Sequence, residues 1–270
     1  MIRKLAPEHY HRILPLLGPD DAVNALSLNA ILSGTNLGAV YADDPEQPRT
    51  ALIDQTGIVS FLVGDPENRA FLDDFDRFLD RQLGPDTLAS CGGDTFIAVL
   101  HSTAWQRALA PVLARREPEE DEECYFAFAG NAHLPDRRAL PAGFSTRRID
   151  DALAANEDIA ECLLESWPGA GHFLAHGIGH AVMEGDRAVS LAFSCAAWSG
   201  RQEINLLTFD EEDQGRGFAA HACAAWLADA LDAGITPHWT AMASNAASLH
   251  LARKLGFVET ARRPTIEFRF

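Results

Sequence analysis

The sequence lacks the features that would place a protein in a membrane or outside the cell. Its 270 residues contain no apolar run near the ~20 residues that a membrane-spanning helix needs. The N-terminus has two basic residues but no uninterrupted apolar stretch of the kind that a secretory signal requires. A cytoplasmic protein with no membrane partner is therefore expected.

Cysteines are few and scattered along the chain. The five cysteines include no Cys-x-x-Cys pair, and an odd, dispersed set does not fit the disulfide framework of a small secreted protein. Buried, reduced thiols are the expected state.

Positive charge is also scarce. The chain has 22 basic and 39 acidic residues, and its formal net charge is −17. Nucleic acids and anionic membranes bind positively charged surfaces, so neither is expected as a partner. A cationic acceptor such as an amine would suit this charge. The 47% of hydrophobic residues are enough for a folded core.

Polar segments suggest how the chain is divided. Residues 117–123 form an acidic run that we expect to stay in solvent. Residues 131–138 and the Pro-Ala-Gly sequence at 141–143 are typical of a linker. We therefore predict a boundary near residue 138, with domains at 1–138 and 139–270.

Hydrophobic periodicity predicts a mixed α/β arrangement in both halves. In the first half we predict helices at 9–17, 20–32, 71–83 and 103–114 and strands at 57–64 and 96–100. In the second half we predict strands at 144–149, 178–184, 188–198, 202–209, 235–241 and from 258, and helices at 152–166, 217–233 and 245–255. Gly234 is suited to end the helix before it, since glycine accepts a left-handed conformation.

One glycine-rich segment carries a chemical signal. Residues 214–219, Gln-Gly-Arg-Gly-Phe-Ala, lie between a predicted strand and a predicted helix. Glycines let backbone N–H groups converge without Cβ interference, and the helix start adds unpaired donors and a positive dipole end. Together they predict a site for a pyrophosphate, although a turn with a helix cap would explain the glycines equally well.

A second motif follows twenty-six residues after Ala219, where Asn245 begins a segment that ends in Leu-Gly-Phe at 255–257. With this motif the sequence resembles the GNAT acetyltransferase superfamily. That family joins a (Gln/Arg)-x-x-Gly-x-(Gly/Ala) loop to a later Asn-x-x-(Ala/Ser) helix that ends in Leu-Gly-Phe. Gln214, Gly217 and Ala219 match the loop pattern, and Asn245 and Ser248 match the helix pattern. Asn245 is also expected to be the N-cap of this helix, with Ser248 at its third position, and the two roles can coexist. The resemblance spans about 125 residues, from about residue 143.

The resemblance implies a fold and a cofactor. The fold class is α/β (α+β), with two GNAT-like domains that each have a mixed, mostly antiparallel sheet flanked by helices. The length of the chain and the Pro-His-Trp sequence at 237–239 resemble the subgroup of zwittermicin-A-resistance-type acetyltransferases, whose first half is a degenerate GNAT-like domain. The resemblance assigns acetyl-CoA binding to Leu207, Phe209, Gln214, Gly215, Arg216, Gly217, Phe218, Ala219, Asn245 and Ser248.

Catalytic groups are harder to assign than the cofactor loop. Glu203 lies eleven residues before Gln214, where histone-acetyltransferase-like members have their catalytic glutamate, so it is a candidate general base. An exposed glutamate near the end of a strand is the alternative. The family's usual general acid, a tyrosine, is replaced by Ala252. His250 is expected to be a surface residue, and the three tyrosines Tyr10, Tyr41 and Tyr125 lie in the first half, so the acid is unassigned.

Other reactive residues favour simpler explanations. His172, His176 and His180 recur every four residues, but Gly177 and Gly179 should interrupt the helix that a shared metal would need, so no metal is predicted. Residues of this stretch, Trp167 and Phe173 among them, either line an acceptor pocket or pack in the core. Cys195 and Cys223 have no adjacent base in sequence, which argues against a cysteine nucleophile.

The sequence therefore predicts an N-acetyltransferase that moves an acetyl group from acetyl-CoA directly to a primary amine, with a small-molecule amine as the preferred acceptor. A non-catalytic acyl-CoA-binding or sensing protein and a protein N-acetyltransferase are the alternatives. The acyl chain length and the oligomeric state, a homodimer included, stay open.

Overall fold

A computed structural model describes residues 1–130 and 140–270 of the chain. These residues form two compact units. Unit 1 comprises Met1–Glu123 together with Arg262–Phe270, and unit 2 comprises Cys124–Ala261. The boundary predicted near residue 138 lies outside the described residues, as does the predicted linker at 131–138. The ranges of the two units differ from 1–138 and 139–270 because the C-terminal segment packs with the first part of the chain.

Unit 1 contains an open sheet with helices. Its strands are β1 (Arg3–Lys4), β2 (Ala39–Ala42), β3 (Thr50–Gln55), β4 (Val59–Gly64), β5 (Thr95–Val99) and the first part of β6 (Glu119–Phe128), and its helices are α1 (Ala25–Leu32), α2 (Arg69–Phe78), α3 (Gly84–Cys91) and α4 (Thr103–Leu113). The pairs β1–β2, β2–β3 and β3–β4 are antiparallel, whereas β4 and β5 are parallel.

Unit 2 repeats this plan with longer elements. Its strands are the second part of β6, β7 (Phe144–Arg148), β8 (Gly179–Glu184), β9 (Arg187–Trp198), β10 (Arg201–Thr208), β11 (Thr236–Met242) and the first part of β12 (Phe257–Arg269), and its helices are α5 (Glu157–Leu164), α6 (Ala170–His176), α7 (Phe218–Asp232) and α8 (Ala246–Lys254). The pairs β7–β8, β8–β9 and β9–β10 are antiparallel, and β10 and β11 are parallel. The predicted fold class is confirmed.

Each unit takes the neighbour of its parallel pair from a distant part of the chain. In unit 1, Thr265–Arg269 of β12 pair antiparallel with β5. In unit 2, the strand next to β11 is β6. Local sequence patterns cannot reveal this arrangement, because the pairing strands are far apart in the sequence.

Most of the predicted elements are present, with several differences. The segments Pro7–Leu16 and Pro19–Asn24 are 3-10 helices, and Pro15 stands inside the first of them. Strands β1, β2 and β3 and helices α3 and α6 were not predicted. The acidic run is largely exposed, as expected, but from Glu119 onward it is part of β6, in which Glu122 pairs with Arg262 at 3.2 Å and Glu123 is buried.

The core of unit 2 fixes the elements around the second half's motifs. Trp226 of α7 and Trp239 of β11 are buried in one cluster with Phe218, on the side of the sheet that α7 covers. Trp167 and Phe173 are buried in a second cluster with side chains of β9, so both pack in the core. Gly234 follows α7 with a φ of 70°, as predicted. In the part of the chain that the structure describes, no helix is long and apolar enough to span a membrane.

Candidate active site

The sheet of unit 2 opens between its two parallel strands. The ladder between β10 and β11 joins only Arg201–Glu203 to Thr236–His238, although β10 continues to Thr208 and β11 to Met242. A register shift between Glu203 and Ile204 interrupts the β9–β10 ladder at the same point, and such bulges bend a strand. Beyond Glu203, β10 therefore has a backbone edge that no ladder with β11 covers.

The alternation of hydrogen bonds decides which backbone groups face this open edge. The N–H of Phe209 donates to Val189 O of β9 at 3.1 Å, and the Leu207 carbonyl accepts from Ser190 Oγ at 2.7 Å. Because hydrogen-bonded pairs alternate along an antiparallel ladder, Leu207 and Phe209 face β9. The predicted pairing of their backbones with the cofactor is therefore not supported. The outward backbone groups belong to Leu206 and Thr208.

The outward amide of Leu206 supports this orientation. Its N–H donates to the Asn205 side-chain Oδ1 at 2.8 Å, a local bond that a residue in a continuous ladder would not need. The edge of β10 thus offers a backbone donor whose present partner is a side chain of the neighbouring residue.

The glycine loop after β10 is exposed and open. Gly215 and Gly217 have φ angles of 72° and 87°, a region that favours glycine, and a Cβ built on either would meet no atom within 4 Å. Gly217 is the N-cap of α7 and supplies no side-chain acceptor to the helix. The first N–H groups of α7 therefore point toward free space, as an anion site requires.

The remaining loop residues have different positions. Gln214 is exposed, and Ala219 lies in the first turn of α7. The Phe218 side chain is buried and stacks on Phe144 with 4.7 Å between ring centroids, so only its backbone can serve a ligand. The Arg216 guanidinium is exposed but held in place, since Nη1 donates to Asp213 Oδ1 at 2.5 Å.

The N-terminus of α8 is capped as predicted. The Asn245 side-chain oxygen accepts from the Ser248 N–H at 3.0 Å. Ser248 Oγ in turn accepts from the indole N–H of Trp239 at 3.1 Å. Contact of Asn245 and Ser248 with a cofactor stays a prediction.

Glu203 lies where the two parallel strands separate. Thr240 Oγ1 donates to Glu203 Oε1 at 2.8 Å, and the Cys195 thiol is 3.9 Å from the same oxygen. The residue keeps some exposed surface, but its carboxylate is deep enough that burial raises the pKa of Glu203. The hydrogen bonds from Thr240 and Cys195 lower that pKa in part. A carboxyl group with a raised pKa at an open sheet edge fits a general base.

Two neighbours of Glu203, Thr240 and His238, could not be predicted from the sequence. Thr240 approaches Glu203 only because β10 and β11 pair in parallel. His238 is the register partner of Glu203, and its Nε2 is buried without a partner among the described residues. Tyr125, assigned by sequence to the first half, belongs to unit 2 and lies on β6, the strand next to β11. The parallel register is the signal that would have identified Thr240 and His238.

The structure also locates the other candidate residues. Ala252 is buried and His250 is exposed, as expected for a surface residue, and the general acid stays unassigned. Burial and the charge of Glu203 raise the pKa of Cys195, which does not suit a nucleophilic thiolate. Helix α6 ends at His176, and His180 lies on β8, 2.8 Å from Asp229. Among the described residues, no three potential metal ligands come together.

Comparisons with known proteins agree with this geometry. A family model described as GNAT acetyltransferase matches residues 20–264. YdfB of Bacillus subtilis strain 168, an uncharacterized N-acetyltransferase, is 27% identical over 259 residues, which are 95% of each chain. A GCN5-related N-acetyltransferase-like protein from Streptococcus suis 89/1591 is 25% identical, with 97% and 99% of the two chains covered and a TM-score of 0.67.

A third relative supports the fold alone. A tandem GNAT protein from the clavulanic acid biosynthesis pathway has 12% identity and a TM-score of 0.57. The match covers 100% of this chain and 98% of that one. Its tandem arrangement agrees with the repeated plan of units 1 and 2.

Proposed function

The chain belongs to the GNAT acetyltransferase family, and from that premise we propose that unit 2 binds acetyl-CoA and transfers its acetyl group directly to a primary amine. The observation that carries the proposal is the continuity of the open β10 edge with the uncapped glycine loop at α7. An extended ligand with a pyrophosphate at one end fits such a path. We further propose membership of the zwittermicin-A-resistance-type subgroup and a small-molecule acceptor, which the net charge of −17 favours.

The cofactor would be held mainly by backbone groups. The N–H groups of residues 214–219 would bind the pyrophosphate, with the dipole of α7 directed at it. Leu206 and Thr208, whose backbones face the open edge, would pair with the pantetheine amides. The N–H of Leu206 would then exchange its bond with the Asn205 side chain for a cofactor carbonyl. Asn245 and Ser248 would border the cofactor at the start of α8.

Glu203 would remove the proton that blocks attack. A primary amine is protonated at neutral pH and must lose a proton before its nitrogen can attack the thioester carbon. The Glu203 carboxylate, directly or through a water molecule, would accept that proton. The amine nitrogen would then bond to the carbonyl carbon while a backbone N–H stabilised the oxyanion. The carbon–sulfur bond would break, and the excess proton on the amide nitrogen would pass to the leaving thiolate or to solvent.

One observation favours a second function. Ala252 is buried at the position where relatives would have a tyrosine acid, and no replacement donor is assigned. A protein that binds acyl-CoA without transferring the acyl group would have no use for such a donor. The two functions differ in whether free CoA is released in the presence of amines.

The test measures the release of free CoA from acetyl-CoA in the presence of a panel of small amines. The pH dependence of the rate is then compared between the wild type and Glu203→Gln. We expect the rate of the wild type to rise with pH through the raised pKa of Glu203. Glu203→Gln should lower kcat by about 10²- to 10⁴-fold, the typical contribution of a general base, and lose that limb of the profile. Glu259→Gln is the matched control, because Glu259 is a half-buried carboxylate that pairs with Arg253 in the same unit.

Two outcomes would count against the proposal. Tight acetyl-CoA binding without turnover on any amine would support the non-catalytic function. Turnover with an unchanged profile in Glu203→Gln would remove Glu203 from the reaction.

A further inference from the structure

The segment before the glycine loop has the wrong charge for an anion site. Residues 210–213, Asp-Glu-Glu-Asp, lead directly into Gln214, and three of the four side chains are exposed. CoA is a polyanion, so these carboxylates would repel it at the place where its pyrophosphate must bind. Some feature of unit 2 must offset that repulsion if the loop holds a cofactor.

A single guanidinium, that of Arg187, binds three carboxylates around this loop. Its Nη1 donates to Asp210 Oδ2 at 2.7 Å and to Asp213 Oδ2 at 2.8 Å. Its Nη2 donates to Glu184 Oε2 at 2.8 Å. Arg187 therefore ties the β8–β9 turn to both ends of the acidic segment, and its hydrogen bonds to Glu184 and Asp213 raise its own pKa.

Asp213 connects Arg187 to the glycine loop. It is only 2% exposed, and its two carboxylate oxygens are divided between Arg187 and Arg216. The Arg216 guanidinium also lies over the rings of Phe144 and Phe218, at 5.4 and 4.8 Å from their centroids. Because Arg187 occupies Oδ2, Arg216 meets only Oδ1, through Nη1. Its Nε and Nη2 have no partner within the described ranges.

We propose that Arg187 is a positioning residue for the acyl-CoA site: it neutralises Asp213 and Asp210 and thereby leaves Arg216 and the loop amides free to bind the cofactor's phosphates. The inference rests on the proposed function of the loop. Without Arg187, the buried Asp213 carboxylate would have Arg216 as its one remaining partner and would draw that guanidinium away from the ligand.

The test is the Kd of CoA and of acetyl-CoA, measured by calorimetry, for the wild type and Arg187→Gln. We expect Arg187→Gln to raise both Kd values about tenfold at low salt, as expected for an unpaired charge roughly 7 Å from a doubly charged group. The loss should shrink as salt is added, because the exposed carboxylates are screened. Arg148→Gln, which removes an exposed arginine near Asp229, is the matched control and should bind like the wild type.

A double variant separates electrostatics from folding. Arg187→Gln combined with Asp213→Asn removes both charges, and we expect its Kd to return to within about threefold of the wild type. A purely structural bridge would predict the reverse, since the double variant loses the same ion pair and one further charged bond. The KM for the amine should not change in Arg187→Gln.

The outcomes distinguish this inference from the proposed function. If the wild type binds neither CoA nor acetyl-CoA, the cofactor site itself is wrong. If the wild type binds and Arg187→Gln binds equally well, or if the double variant is weaker than the single one, the role of Arg187 is overturned while the cofactor site stands.

Discussion

The two units share a strand–loop–helix junction but treat the start of the helix in opposite ways. In unit 1, four residues connect β4 to α2, and the Asn68 side chain accepts from the Phe71 N–H at 3.4 Å. Asn68 is buried and also donates to Asp43 at 2.7 Å. In unit 2 the connection is longer, and Gly217 leaves the first amides of α7 without a side-chain acceptor. The same topology thus gives a filled helix start in one unit and an open one in the other.

Glycines at the two junctions have different roles. Gly64 ends β4, and a Cβ there would lie 2.2 Å from the Arg49 carbonyl oxygen, so this glycine permits close packing. Gly215 and Gly217 have open space around them. A glycine that packs closely leaves no room for a ligand, whereas one in open space exposes its backbone. We therefore expect one acyl-CoA site per chain, in unit 2.

The largest effect should come from filling the open loop. Gly217→Val places a branched side chain at a positive φ, and we expect the Kd for acetyl-CoA to rise about a thousandfold, as if two charge-assisted hydrogen bonds of roughly 2 kcal/mol each were lost. Gly92→Val is the matched control, because Gly92 ends α3 with a φ of 71° and nothing within 4 Å. Equal binding by both variants would contradict the assignment of the loop.

Buried carboxyl groups extend the comparison to pH. Asp54 of unit 1 accepts from Ser60 and from the Gly57 N–H at 2.9 and 3.0 Å, and burial raises the pKa of Asp54 to about 6. Its stabilising contribution is complete below the unfolded pKa near 3.8 and is lost as the pH rises through 6. The free energy of unfolding should fall by about 2 kcal/mol from this group between pH 4 and pH 7.

Asp54→Asn should remove that part of the pH dependence while leaving acetyl transfer unchanged. Urea unfolding at pH 4, 5.5 and 7 measures it. A pH dependence identical to that of the wild type would show that Asp54 is not the titrating group. A loss of activity would contradict the expectation that a change in unit 1 leaves the activity of unit 2 unaffected.

The next effect concerns the base in unit 2. Thr240→Val removes the hydroxyl that donates to Glu203 and lowers its pKa, so the pKa of Glu203 should rise further. The acidic limb of the rate profile should then move to higher pH, with a several-fold loss of kcat near neutrality. Thr240→Ser keeps the hydroxyl and should restore the profile. Identical profiles for the Val and Ser variants would argue against this contact.

The smallest effect should follow from removing the side-chain cap at the start of α2 in unit 1. Asn68→Ala removes a helix cap and should lower the free energy of unfolding by about 1 kcal/mol. Denaturant unfolding measures this change, and the Kd for acetyl-CoA should stay the same. If this variant bound acetyl-CoA at a second site, the Asn68 side chain alone would prevent cofactor binding in unit 1. That result would contradict the role given to the closely packed Gly64.

Local signals in the sequence predicted much of the second half. The β8–β9 hairpin, the glycine loop and the Asn245 cap depend on residues a few positions apart, and all three are where they were predicted. The exposure of the acidic run was predicted, but its strand was not, because the ion pair between Glu122 and Arg262 joins residues 140 positions apart. A run of polar residues therefore predicts exposure without excluding a strand whose partners are distant in the sequence.

The catalytic neighbourhood was less predictable than the fold. Glu203 could be identified by its spacing, but its contact with Thr240 depends on a parallel register that no local pattern encodes. Whether the backbone groups of Leu206 or of Leu207 face the open edge of β10 likewise depends on which residues form the hydrogen-bonded pairs with β9, and the sequence does not reveal this register. Arg187 attracts no notice in the sequence, because its partners at Asp210 and Asp213 lie more than twenty positions away.

The most direct test of the account is a calorimetric titration of the wild-type protein with acetyl-CoA. We predict saturable binding with one site per chain, abolished by Gly217→Val and retained by Gly92→Val and Asn68→Ala. Two sites per chain, or no binding by folded protein, would contradict the claim that the open loop of unit 2 holds the cofactor and that unit 1 does not.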